Sequence, residues 1–340
     1  MTTNKLFLLS AVAIFLCSGC RNNIEHAETQ ETKNPIRWQV SSETSRSLIG
    51  SDTQLQSACA DGAEAIAIWG DYIHEGSVYH AFVNTPLQYM STTPKRWDYS
   101  DYDRYWMKDA QYRFRVFYPM KALAAKTSAT DASSISIEYD TNQFQEDLLV
   151  GYTEVNSSTW DMTQPVPLNM MHALAALKFE FKMEDGSKKT KLLSKFSLDN
   201  RLCTSGELQF NRQKVEVTDW KNLDSSPSSE IYKWQNSGIA FSATSLATAY
   251  SSPTGTSTSV GNDFCGSDGF VFIIPQQCSS APVIHFTTGD TDYSVGIGAT
   301  LFEPGKRYVY TINIKDNDKV EMTLRIKEWN KKDSSYIITF

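Results

Sequence analysis

Six cysteines and five histidines carry the widest chemical repertoire in this 340-residue chain, and their spacing limits what they can do. Cys17 and Cys20 form a C-x-x-C pair. That spacing serves redox chemistry when a helix follows it, or half of a metal site when a second pair is present. The segment that follows, RNNIEHAETQETKN, is polar and has no apolar helical stripe. His26, His74, His80, His172 and His285 are scattered, without H-E-x-x-H or a Cys/His cluster, so no metal centre is indicated. His74 and His80 lie near Asp71 and Glu75, either as a surface metal contact or as ordinary loop histidines. The sequence has no G-x-S-x-G elbow, phosphate loop or dinucleotide fingerprint. Carboxylates are common, but nothing selects a pair for glycoside hydrolysis. The chain therefore reads as a non-enzyme with no cofactor.

The first residues read as an address. Lys5 precedes an apolar run from Leu6 to Cys17, which is too short to span a membrane, a task needing about 20 residues. The small residues Ser18 and Gly19 follow, and then Cys20. A basic start, apolar middle and small-residue exit make a secretory signal over residues 1–19. Its Ser-Gly-Cys ending resembles a bacterial lipoprotein signal, with Cys20 as the lipid-bearing first residue of the mature chain. Removing 1–19 moves the formal charge from −7 to about −8, which disfavours nucleic acid as a partner. Residues 20–36 read as a polar tether.

Beyond residue 36 the pattern is that of strands. Short segments rich in β-branched and aromatic residues are punctuated by Gly, Pro, Asn, Asp and Ser. In KFEFKM, Phe179 and Phe181 alternate with charged neighbours, and in KVEMTLRIKEW the apolar set is Val320, Met322, Leu324 and Ile326. This period of two gives strands with one buried face. It places the chain in the all-β class, with sandwich architecture. MKALAAK and MMHALAA are the two helical candidates. Residues 242–263, rich in Ser, Thr and Gly, read as a long surface loop, and NLDSSPSSE as a second. A domain boundary is expected near TQPVPLNMMH, where Pro165 and Pro167 enforce extended chain.

Two further groups of residues invite a chemical reading. Within RWDYSDYDRYWMKDAQYRFRVFYP, the 22 residues from Trp97 to Tyr118 include nine aromatic ones. Such rings fill a core and its rim, or stack on sugars, in which case Trp97 and Trp106 are the candidate glycan contacts. Cys265 and Cys278 bracket the FVFII run and are the candidate disulfide pair, with free buried thiols as the alternative.

Several of these pieces occur together and in order. They are the lipoprotein cysteine, an I-x-W-x-V strand leading to Thr44-Ser45-Arg46, the aromatic block from Trp97 to Pro119, VPLNMMHALAALKFEF, FVFIIPQ, and the ending PGKRYVYTINIKDNDKVEMTLRIKEW. In combination they resemble the fimbrillins of Bacteroidetes, the FimA/Mfa-like lipoproteins. The resemblance implies two tandem transthyretin-like (Greek-key) β-sandwich domains, here 37–167 and 168–340. It implies a structural subunit of a surface fimbria (stalk, tip or anchor), carried to the outer membrane by lipid on Cys20. It also implies activation by a trypsin-like cut after an Arg near the first strand. Arg46 is the best match, and Arg37 a weaker one. Loss of IRWQVSS would open a groove, and 331–340 (KKDSSYIITF) would be the strand donated to another subunit. A tail folded into its own sandwich could not donate. The alternative from a different class is a surface lipoprotein that never polymerises and binds glycan or a host or bacterial surface ligand.

Overall fold

A computed structural model describes residues 34–42, 51–62, 64–99, 102–120, 124–127, 135–226, 228–250, 269–328 and 335–339. Cys20, Arg46 and Cys265 lie outside the described residues. Residues Asn34–Phe340 form one compact unit.

In the first half the strands are β1 (Trp38–Ser42), β2 (Ile66–His74), β3 (Ser77–Met90), β4 (Arg96–Tyr99), β5 (Gln111–Tyr118), β6 (Ala124–Thr127), β7 (Ile135–Asp140), β8 (Leu149–Asn156) and β9 (Val166–His172). The next group is β10 (Ala175–Met183), β11 (Lys191–Asp199), β12 (Cys203–Gln209), β13 (Trp220–Ser225), β14 (Glu230–Phe241) and β15 (Ala247–Thr248). The last is β16 (Val271–Ile273), β17 (Gln276–Gln277), β18 (Val283–Thr288), β19 (Thr291–Gly296), β20 (Leu301–Phe302), β21 (Lys306–Ile314), β22 (Val320–Glu328) and β23 (Ser335–Thr339). The all-β expectation holds. Both helical candidates are strands instead: Ala124–Thr127 lies in β6, and MMHALAA runs through β9 into β10. The Ala and Met side chains that suggested a helix fill tight inward positions, with Met170, Ala173, Ala175 and Ala176 all fully buried.

The α-helix among the described residues is α1 (Asp52–Ala58), which the strand pattern does not anticipate. Its signal is local: Ser51 caps it by accepting from Gln54 N at 3.2 Å, the S-x-x-Q start of a capping box.

Seven strands of the first half close into a barrel, in the order β1-β4-β3-β2-β5-β8-β9 and back to β1. The closing contact is parallel, from Trp38 opposite Val166 to Ser42 opposite Met170. The packed chain starts earlier than expected for a tether ending at residue 36. Pro35 bridges Tyr105, and Ile36 is fully buried.

The second half packs two sheets face to face. One is β15-β10-β21-β22-β23 with β16 on β10, and the other is β14-β11-β18-β19. Inward-facing rings interdigitate between them, with Phe181 against Phe286 at 4.9 Å and Phe179 against Phe196 at 4.7 Å. Part of the expected loop at 242–263 belongs to this core, because Ala247 and Ala249 are buried and Tyr250 donates to the Tyr232 carbonyl at 2.8 Å.

Residues 37–167 and 168–340 do not part cleanly at Pro167. A four-stranded sheet takes β6 and β7 from the first half and β12 and β13 from the second, with Ser205 opposite Asp140 through Gln209 opposite Ser136. Beneath it lies a core drawn from both sides. Phe117, Ile137 and Val150 meet Leu208, Trp220 and Ile274, all nearly or fully buried. Trp220 Nε1 donates to the Ala173 carbonyl at 3.2 Å, inside the link between β9 and β10. Trp220→Ala is expected to cost about 3–5 kcal/mol. Because the sheet is shared, urea should still unfold the chain in one transition, followed by fluorescence and circular dichroism together. Two separated transitions would show that the halves fold independently.

Candidate functional site

The feature that stands apart from ordinary packing is the seat of β1. Ile36, Trp38, Val40 and Ser42 point inward at every second position and are 0–6% exposed, which is the one-sided pattern of a strand over a core. Trp38 stands edge-on to Phe82 at 5.2 Å and to Phe114 at 5.0 Å. Room for these rings comes from Gly70. A Cβ there would lie 2.8 Å from both Phe82 and Phe114 ring carbons, so any larger residue would displace them.

The two flanks of β1 are held unequally. Along β9 five residues are in register, and Val166 N donates to the Arg37 carbonyl at 2.7 Å. Toward β4 one pair is in register, Trp38 opposite Trp97. Side chains fasten the two ends. Near the start, Ile36 N donates to the Arg104 carbonyl at 2.8 Å, and Arg37 Nη1 donates to Asp103 Oδ1 at 3.1 Å. Tyr99 OH donates to the Ile36 carbonyl at 3.3 Å, and burial raises its pKa above the usual phenol value. At the far end Ser42 N donates to Asp52 Oδ1 at 2.7 Å, a charge-assisted bond to the first residue of α1. Asp52 therefore ties the end of β1 to the start of α1. Arg37 lies just before β1, its carbonyl accepting from Val166 N.

At the other terminus, β23 pairs antiparallel with β22, Thr323 opposite Thr339 through Lys327 opposite Ser335. The tail therefore sits in its own chain's sheet, which counts against its being a free donor in this form. It is an edge strand, bonded on one side.

The other sequence candidates fall elsewhere. Trp97 is 5% exposed and packs its ring on Tyr89 at 5.4 Å, and Trp106 is half-buried with its edge on Tyr112 at 4.7 Å. The two indoles pack on the barrel core, which counts against the glycan contact expected there. The rings of that block open to solvent are Tyr102 and Tyr105, 63% and 43% exposed. Cys278 is a free buried thiol, and burial pushes it up to about 11. His80 Nδ1 lies 3.0 Å from Asp71 Oδ1, and no group of metal-ligating side chains occurs among the described residues.

Sequence reasoning missed a buried pair at the junction, His172 Nδ1 to Asp147 Oδ2 at 2.8 Å. A cleft of about 610 Å³ beside it is lined by charges of both signs, including Lys214, Glu216, Glu303 and Lys306, and by no Ser or Cys.

The described residues are those of an all-β protein whose first half is a barrel closed by β1. The comparisons give the family. The profile of the fimbrillin-like family matches residues 53–329, and the chain belongs to that family. A search of curated proteins returns no match. Among solved structures, a fimbrial protein from Bacteroides vulgatus superposes with a TM-score of 0.58 at 13% identity, covering 87% of this chain and 99% of that one. A candidate cell adhesion protein from Bacteroides ovatus gives 0.56 at 15% identity, covering 89% of this chain and all of that one. At such identities these two likenesses speak for the fold.

Trp38→Ala is expected to cost about 3–5 kcal/mol, measured by urea unfolding. Tyr102→Ala, at an exposed ring, should stay within about 0.5 kcal/mol. Equal, small losses for both would contradict the seat described for β1.

Proposed function

We propose that the protein is a structural subunit of a cell-surface fimbria that polymerises by exchanging strands. In this reading it is exported with a signal over 1–19, reaches the outer membrane through lipid on Cys20, and is activated by a cut after Arg46. The observation that carries the reading is the position of β1. It is the single element joining β9 to β4, and its buried side chains fill a slot at every second residue.

Removal of β1 exposes unpaired N–H and C=O groups on β9 beside an apolar slot, a ready template for a foreign strand. A donated strand restores the ladder and fills the slot at alternate positions. The tail has the matching period, since Tyr336, Ile338 and Phe340 are spaced like Ile36, Trp38 and Val40. Leaving its own sheet requires breaking pairing on one side only, whereas β1 has neighbours on both. Head-to-tail exchange does not close on itself and so extends as a filament. Other fimbrial subunits are then the partners, and no catalytic step is asked of this chain.

The amino terminus of fimbriae sheared from intact cells tests the reading directly. Sequence beginning at Ser47 is the expected result. Material that still begins at lipidated Cys20 would exclude polymerisation by this route. Deleting 331–340 should abolish SDS-resistant oligomers while leaving the monomer folded. Asp52→Ala removes the bond to Ser42 N. After trypsin cleavage it should speed release of the β1 peptide by about tenfold, since a hydrogen bond to a charged group contributes about 1.5–3 kcal/mol. Release followed by mass spectrometry at an unchanged rate would mean that Asp52 does not retain the strand.

A further inference from the structure

We propose that Cys203 and Cys278 are a disulfide-forming pair that staples the shared sheet to the second-half sandwich. The assignment differs from the Cys265–Cys278 pairing expected from sequence, and it rests on one glutamine. Gln276, 2% exposed, places its amide between the two cysteines. Its Oε1 accepts from Cys203 N at 2.8 Å and from Cys278 Sγ at 3.8 Å, so one oxygen atom touches both residues. Its Nε2 donates to the Cys203 carbonyl at 3.0 Å and to the Ile274 carbonyl at 2.9 Å. The amide thus pairs with both backbone groups of Cys203, as a neighbouring strand would, and fixes β12 beside the start of the Cys278 loop. Cys278 is held in place by a further bond, its N–H donating to the Thr300 carbonyl at 2.7 Å. Cys203 is half-buried, with its Sγ 3.7 Å from Ser225 Oγ near the surface.

The two thiols differ in access, which sets the order of steps. Cys203 is the more accessible and attacks an external disulfide first. Its thiolate forms a mixed disulfide and expels one thiolate of the oxidant. Cys278 then attacks the Cys203 sulfur and expels the second, and the two thiol protons leave with the departing thiolates. With glutathione disulfide as oxidant, one molecule is reduced to two glutathiones for each bond formed. Burial pushes the Cys278 thiol up to about 11, so the second step belongs to refolding, before the core closes over it. The residues bridged are roughly 75 apart in sequence, a long loop whose closure constrains the unfolded chain.

The test uses the purified full-length chain, refolded from urea with glutathione disulfide, and so does not depend on the fimbrial reading. Digestion with trypsin together with a protease that cuts before Asp268 separates Cys265 from Cys278. The expected product is LCTSGELQFNR (202–212) linked to the Cys278 peptide, about 2 Da lighter than the sum of the reduced peptides. The oxidised protein should have a Tm several degrees above the reduced protein. Cys265→Ser should leave the link intact. Cys203→Ser, at a half-buried site, should remove it and leave Cys278 alkylated only after denaturation. Linkage of Cys278 to Cys265, or full alkylation of both Cys203 and Cys278 in denaturant without reductant, would overturn the assignment.

Discussion

The first half of this protein hangs on Trp38 wedged edge-on between Phe82 and Phe114. That contact holds β1 against the core, and β1 in turn holds β9 to β4. The other strands of the ring follow one another by antiparallel pairings, mostly between neighbours in sequence. The closing pair is parallel and joins the beginning of the half to its end, so it is the least local in the ring. Such a pair has no turn to set its register. Side-chain fit sets it instead, which is why Gly70 beneath the rings and the alternate burial of Ile36, Trp38 and Val40 matter together.

The shared sheet anchors the barrel on a face away from its closing strand. β6 and β7 leave the barrel and pair with β12 and β13, burying a second apolar layer against the second half. Phe117 and Val150 lie on the barrel strands β5 and β8 yet contribute to that outer layer. Strands β5 and β8 are thus anchored on a face that β1 does not touch. The stability of the remaining six strands then has a source independent of the seam.

Much of this was legible in the sequence. The strands announced themselves by alternation, because a half-buried strand must alternate. In the aromatic block from Trp97 to Tyr118, the spacing in YRFRVFY already puts Tyr112, Phe114 and Val116 on one face, and all three are buried. What alternation cannot carry is partnership. Nothing in ISIEYD says that it pairs forward with CTSGELQ across about 65 residues of chain, so a boundary at Pro165 and Pro167 looked cleaner than it is. The short helix α1 was missed although SDTQ spells its cap, because seven residues carry too little periodicity to compete with the surrounding strands. Of the candidate site, the buried residues of β1 were visible; the bond from Asp52 that fastens its end was not, since an aspartate after a serine reads as any turn.

The distribution of bonds around β1 gives the seam a direction. Where β21 meets β22, nine residues are in register, and where β1 meets β9 there are five. Where β1 meets β4 there is one. A strand held this way separates first along the flank with a single pair, and the Arg37 contacts to Asp98 and Asp103 are exposed enough to be screened by solvent. The β9 flank, with its regular ladder, stays in place longest. The unequal flanks therefore favour opening of the barrel from the β4 side, with the β9 ladder the last to part.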